Sequence, residues 1–92
     1  MTTNDSKFFL LISRIANIAK QDLKSSIVVN KALTAAFFQD KDLLMRICNS
    51  PAPDQFCLMF CELVKSYAHE KGIEKTFLLL EKIFKIYKDE LN

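Results

Sequence analysis

Hydrophobic residues recur with a helical period through most of this chain. Between residues 54 and 91 they recur every three or four positions on both sides of Gly72, the only glycine. This spacing predicts two helices, 54–71 and 74–91, and so short a connection predicts an antiparallel hairpin. Glycine suits the junction because it adopts a left-handed backbone without a steric penalty. The two predicted apolar stripes are Phe56, Phe60, Leu63, Val64 and Tyr67, then Ile73, Phe77, Leu80, Phe84, Tyr87 and Leu91.

The last predicted helix is apolar on more than one side. Outside its stripe it also carries Leu78, Leu79, Ile83 and Ile86. Packing on the preceding helix alone cannot cover all of these side chains, because one contact buries only one face of a helix. We therefore expect the N-terminal half of the chain, or another chain, to lie against this hairpin.

Two longer helices are predicted in the first half of the chain. The first follows a cap at Asn4, Asp5 or Ser6 and runs to about residue 20, and the second follows a cap at Asp22 and spans 23–38. The β-branched run 27–29 suits a strand equally well, but no second β run exists to pair with it. The inward positions expected in the first helix are Phe8, Leu11, Ile12, Ile15 and Ala19.

A shorter third helix, capped by Asp40 or Asp42, is predicted to end at residue 49 and to bury Leu43, Leu44, Ile47 and Cys48. The prolines of segment 49–53 disfavour helix in the residues before them, so this segment reads as a linker. Pro53 and Asp54 then favour the start of the next helix.

The predicted fold class is all-α, a five-helix array of antiparallel helical hairpins in one domain, 1–92. It divides into an N-terminal helix 1–21, a first helix pair 22–49, a linker 50–53 and a second helix pair 54–92. The two pairs start 32 positions apart, at Asp22 and Asp54, close to the tetratricopeptide period of about 34 residues. The repeat is degenerate, because Val29, Lys41 and Cys48 stand where that motif has small residues.

Composition favours association with another protein. Half of the 92 residues are hydrophobic, with eight Phe, and so short a chain buries only about two thirds of its surface. The formal charge of +2 comes from 13 basic and 11 acidic residues that are interspersed, so we predict neither nucleic acid nor a membrane as partner. A polar start and a short apolar run, 8–12, predict a cytoplasmic protein without a membrane span.

Candidate chemistry is sparse. Cys57 and Cys61 share one helix face, with His69 two turns further along, but tetrahedral zinc needs four ligands and only Cys48 remains. A catalytic thiol would need His69 beside it and an oxyanion site, for which no glycine-rich turn exists. We predict no enzyme activity, no metal and no cofactor, and three reduced cysteines that act as small buried hydrophobic residues.

A resemblance gives a more specific hypothesis. The segment Pro53–Glu62, with the sequence PDQFCLMFCE, resembles a stretch of the needle-subunit chaperones of bacterial type III secretion systems. In that family a Pro-Asp helix start precedes a leucine-rich turn and a Cys-Glu pair, on degenerate tetratricopeptide-like helix pairs. The resemblance implies a cytosolic chaperone that binds a small self-polymerising helical needle subunit, together with a second small helical co-chaperone, before export.

Apolar spacing also yields candidate residues for an apolar groove that would hold the partner, although the same spacing is typical of internal core. Two other classes of function stay open: a small dimeric regulator that binds DNA or a transcription factor, and a structural subunit of a larger assembly. The candidate groove residues are Phe60, Val64, Tyr67, Phe77, Leu79, Leu80, Ile83, Phe84 and Ile86.

Overall fold

The computed structural model describes the backbone of residues 2–91 and the side chains of residues 5–88. All regular structure in this part of the chain is α-helical, which confirms the all-α, five-helix prediction, including helix over the β-branched run 27–29. The Leu91 side chain, assigned above to the last apolar stripe, lies outside the described side chains. The helices are α1 (Thr2–Ala19), α2 (Leu23–Phe37), α3 (Lys41–Asn49), α4 (Gln55–Lys71) and α5 (Ile73–Leu91).

Three helices begin at an aspartate cap. Asp22, Asp40 and Asp54 have extended backbones, and each carboxylate accepts the backbone N–H three residues further on, at 3.0, 3.1 and 2.8 Å. Each bond satisfies a first-turn amide that has no partner within the helix. The structure thus selects Asp40 rather than Asp42 as the cap of α3.

The predicted cap of α1 is wrong. The helix already begins at Thr2, so Asn4, Asp5 and Ser6 lie inside it rather than before it. The Asp5 carboxylate instead accepts a hydrogen bond from the Tyr67 hydroxyl at 3.2 Å. The Asp5 side chain, which the local sequence predicted to cap α1, therefore bonds α1 to α4 instead.

The turn between α2 and α3 uses an unexpected residue. Gln39 has a positive φ of 57°, its N–H donates to Ala36 at 3.0 Å, and the Asp40 N–H donates to Ala35 at 2.9 Å. This pair of bonds is a Schellman motif, in which glycine usually occupies the left-handed position. Because glutamine stands there, the sequence carried no signal for the motif.

Gly72 joins α4 to α5 by serving both helices. Its N–H donates to Ala68 at 2.9 Å, while its carbonyl accepts the backbone N–H of Thr76 at 3.2 Å and the hydroxyl of the same residue at 2.8 Å. Its φ of 94° and ψ of 161° lie in a region that is essentially restricted to glycine. One residue therefore ends α4 and starts α5.

The ends of four helices meet in one place. The Asp54 cap at the start of α4 lies near Ser25 in α2, and the adjacent Ser26 hydroxyl is 3.2 Å from the Tyr87 hydroxyl near the end of α5. The Lys20 ammonium, just after α1, lies 5.7 Å from the centroid of the same Tyr87 ring. Because the start of α4 and the end of α5 both lie at the start of α2, α4 and α5 run antiparallel, as predicted.

Helices that are distant in sequence make the most extensive contacts. α1 packs chiefly on α4, and α2 packs on both α5 and α3. In a stacked repeat array each helix pair packs on the next pair along the chain, and here α2 and α3 likewise pack on α5 and α4. The additional contact of α1 with α4 closes the five helices into a bundle, and a tetratricopeptide-like array stays a prediction.

Three residues that were expected to face inwards are exposed instead. Leu11, Leu43 and Phe56 are 38%, 38% and 42% exposed. The next residue in each case, Ile12, Leu44 or Cys57, is fully buried, as predicted. Each of these helices packs against more than one neighbour, so its buried face is not centred on the stripe that a single partner would bury.

Candidate partner-binding groove

An open groove separates the first half of α1 from the first half of α5. It has a volume of about 690 Å³, and Tyr67 from α4 also lines it. The α1 residues lie one turn apart along one wall, and the α5 residues do the same along the other. The lining residues on the two walls are Asp5, Ser6, Phe9 and Leu10 from α1, and Lys75, Leu78, Leu79 and Lys82 from α5.

The groove continues towards the other end of the two helices. A second section of about 180 Å³ again contains Phe9 and Leu10, and it adds Arg14 from α1 with Ile83 and Ile86 from α5. Early residues of α1 face early residues of α5, and late residues face late ones, so the two helices run parallel. From position 75 to position 86, α5 rises about 16 Å, which matches about three turns of a docked helix.

The groove has exposed apolar edges and a closed apolar floor. Leu10, Leu78 and Ile86 are 54%, 57% and 44% exposed, whereas Leu79 and Ile83 below them are 7% and 2% exposed. Covering a half-exposed aliphatic side chain contributes on the order of 1 kcal/mol. A partner that covers all three edges would therefore gain binding energy without any change in the bundle.

The structure separates the predicted groove residues into three groups. Tyr67, Leu79, Ile83 and Ile86 line the groove. Phe84 is half-buried on a different side of α5, with its ring centroid 5.8 Å from that of Phe37 and 5.5 Å from the Lys88 ammonium. The remaining four are 0–8% exposed and do not line the groove: Phe60, Val64, Phe77 and Leu80.

Core packing removes these four residues from the candidate site. They are buried and do not line the groove, so they cannot contact a partner there unless the bundle opens. Periodicity could not separate them from the groove, because it locates apolar positions on a helix without showing which neighbour covers them.

Sequence reasoning missed the α1 wall of the groove. Phe9 and Leu10 were not among the candidates, because only one face of the first helix was expected to be apolar. The signal was the unbroken apolar run 8–12, which is too wide for a single face. Leu78 had been recognised as surplus apolar surface, and it is the most exposed apolar side chain of the groove.

Positive charge dominates the rim of the groove. Lys75, Lys82 and Arg14 are exposed, and none of them forms an ion pair with any residue that the structure describes. The Asp5 carboxylate at one end is already bonded to the Tyr67 hydroxyl. Burial raises the pKa of Tyr67, and the negative charge of Asp5 raises it further, so this hydroxyl stays protonated as a donor.

The three cysteines lie apart from the groove, at the contact of α3 and α4, and all are reduced and buried. Burial raises the pKa of Cys57 to about 12. A hydrogen bond from Cys61 to Cys48 is the main cause that raises the pKa of Cys61 and lowers that of Cys48. Within the described residues, no three His, Cys, Asp or Glu side chains are arranged to hold a metal ion.

Comparison with protein families, with curated proteins and with solved structures finds no match to this chain. The resemblance to secretion chaperones therefore stays a prediction. No described helix combines the length with the hydropathy that a membrane-spanning segment requires.

Proposed function

We propose that this chain is a protein-binding module that holds an amphipathic helix of a partner between α1 and α5. The observation that carries the proposal is the groove itself, about three turns long, with exposed Leu10, Leu78 and Ile86 along its edges. A helix with apolar anchors three or four positions apart presents the complementary stripe. Covering the edges buries apolar surface on both partners, which is the main driving force of such association.

Within this class we propose a cytoplasmic chaperone or co-chaperone, without enzymatic activity, for a small helical subunit that polymerises after export. A groove that covers the apolar face of such a subunit would hide the same face through which the subunit assembles. Support comes from the resemblance in the segment Pro53–Glu62 and from the surplus apolar surface of α1 and α5. A second small helical protein would complete the complex in the way that the resemblance implies.

Coexpression tests this proposal. The chain is produced together with each small self-assembling helical subunit of its host, and the soluble fraction is analysed by size exclusion. We expect one subunit to remain soluble and unpolymerised in a complex with the chain. Leu10→Gln and Leu78→Gln should each weaken that complex, because they place a polar amide on the groove edge.

Leu58→Gln is the matched control, since Leu58 is 50% exposed on α4 and does not line the groove. All three variants should unfold at nearly the same urea concentration as the parent chain, because exposed substitutions change stability by about 0.5 kcal/mol or less. If Leu58→Gln weakens the complex as much as Leu78→Gln, the groove is not the binding surface.

A further inference from the structure

We infer that the groove selects a helix whose apolar stripe is flanked by acidic residues. This inference rests on the proposed function, because it specifies the chemistry of the helix that the groove would hold. It starts from the charges along the two walls. Lys75 and Lys82 lie two turns apart on the α5 wall, and Arg14 lies further along on the α1 wall.

Acidic residues are scarce at the same rim. Asp5 is the single acidic residue of α1, and its carboxylate already accepts the Tyr67 hydroxyl. Glu74 and Glu81, the α5 acids whose side chains are described, do not line the groove. The cationic side chains of the rim therefore meet a docked helix without a competing carboxylate from the described part of α5.

Lysine and arginine side chains suit this arrangement. Their aliphatic stems can extend along the apolar anchors of a docked helix while their charged groups remain in water. Two carboxylates placed two turns apart on one flank of that helix would face Lys75 and Lys82, and a carboxylate on the other flank would face Arg14. Such rim pairs contribute mainly to specificity and to the association rate.

Two other occupants fit the groove less well. A second copy of this chain would bring the same three cations against each other, because a two-fold interface pairs identical surfaces. An anionic bilayer would meet the basic rim, but a flat surface cannot enter a groove whose floor, at Leu79 and Ile83, lies below its edges. A convex, acidic helix satisfies both the shape and the charge.

Three synthetic helical peptides test the inference. They share one leucine stripe and differ only in the flanking residues, which are Glu, Gln or Lys. We expect fluorescence anisotropy to show the Glu peptide binding about tenfold more tightly than the Gln peptide, with the Lys peptide weakest, because two or three exposed ion pairs each contribute a small factor. Raising the salt concentration should reduce these differences.

Charge reversal supplies the matched variants. Lys75→Glu combined with Lys82→Glu should reverse the order of the Glu and Lys peptides. Lys31→Glu combined with Lys41→Glu changes the net charge equally at exposed positions outside the groove, and it should preserve the order. If the variant with Lys75→Glu and Lys82→Glu still binds the Glu peptide more tightly than the Lys peptide, the inference is wrong.

The outcomes separate the inference from the proposed function. If all three peptides bind equally and Leu78→Gln weakens each of them, the groove binds helices without charge selection, and only the inference fails. If no peptide binds, both fail. Two further results would overturn the inference. A dimer of the parent chain in sedimentation that Leu78→Gln abolishes would show that a second copy occupies the groove. Binding to anionic vesicles that Leu78→Gln abolishes would show that the groove binds a membrane.

Discussion

Neighbouring residues on one helix can have opposite roles in this molecule. Leu80 has no exposed surface, whereas Leu78, two positions earlier on α5, is 57% exposed at the groove edge. Both are leucines in the same apolar sequence, so the difference lies in what surrounds them. The core residue stabilises the bundle, and the groove residue leaves apolar surface available for a partner.

Asp54 is a residue whose charge contributes to folding. The hydrogen bond from the Cys57 backbone N–H is the main cause that holds the pKa of Asp54 below its ordinary value of 3.8, and the nearby Ser25 hydroxyl lowers it further by a smaller amount. Because the folded state has the lower pKa, the stabilising contribution is fully present above that ordinary value. It is lost as the pH falls through the lowered pKa of the folded state.

We therefore predict that Asp54→Asn flattens the acid dependence of the melting temperature. Asparagine also caps helices well, so the melting temperature at pH 7 should change little. Thermal unfolding followed by circular dichroism between about pH 5 and pH 2 measures the effect. Asp42→Asn removes an exposed carboxylate that caps no helix, and it should leave the acid dependence near that of the parent. Equal curves for the parent and Asp54→Asn would contradict the prediction.

At the scale of elements, two residues with positive φ fix how consecutive helices join. Gly72 connects α4 to α5, and a Cβ at this position would meet no atom within 4 Å. Replacing it therefore costs conformational strain rather than a clash. Gln39 has a left-handed backbone at the end of α2. In that conformation the Cβ of a residue other than glycine lies too close to the following carbonyl oxygen, which costs free energy.

We predict opposite effects for the two reciprocal substitutions. Gly72→Ala should destabilise the chain by about 1–3 kcal/mol, because its φ and ψ are accessible essentially only to glycine. Gln39→Gly should stabilise it by up to about 1 kcal/mol, because relief of the left-handed strain exceeds the added freedom of the unfolded chain. Urea unfolding measures both changes, and the same sign for the two would rule out this account of the turns.

At the scale of the whole molecule, long-range contacts make the two halves interdependent. α1 packs on α4 and α2 packs on α5, so each half buries core residues of the other. The N-terminal helix docks on its own chain, which supplies the cover that the second helix pair requires. Two independent helical hairpins joined by a linker would lack these contacts.

We predict that neither half folds alone. Fragments 1–52 and 53–92 divide the chain within its proline segment, and each should show weak helicity and no cooperative melting. Mixed in equal amounts, they should regain helicity and a cooperative transition, because the α1–α4 and α2–α5 contacts form again. Far-UV circular dichroism measures this. Cooperative melting of fragment 53–92 by itself would show that the second helix pair is an independent unit.

Local sequence was sufficient for the helices themselves. Periodic apolar residues predicted all five, and Asp22 and Asp54 cap theirs through bonds to residues only three positions away. Gly72 was likewise recognisable, because its role depends on its own φ and ψ. These features follow from interactions within a few residues, so the sequence determined them alone, whereas the choice of Asp40 over Asp42 as the cap of α3 came from the structure.

The tertiary structure decided which apolar side chains are core and which are available to a partner. Phe60, Val64 and Leu80 are inside because α4 and α5 have neighbours on more than one side. Leu10 and Leu78 became two edges of one groove only when α1 docked parallel to α5. They are far apart in sequence, and the spacing of residues along one helix contains no information about the helix that packs beside it.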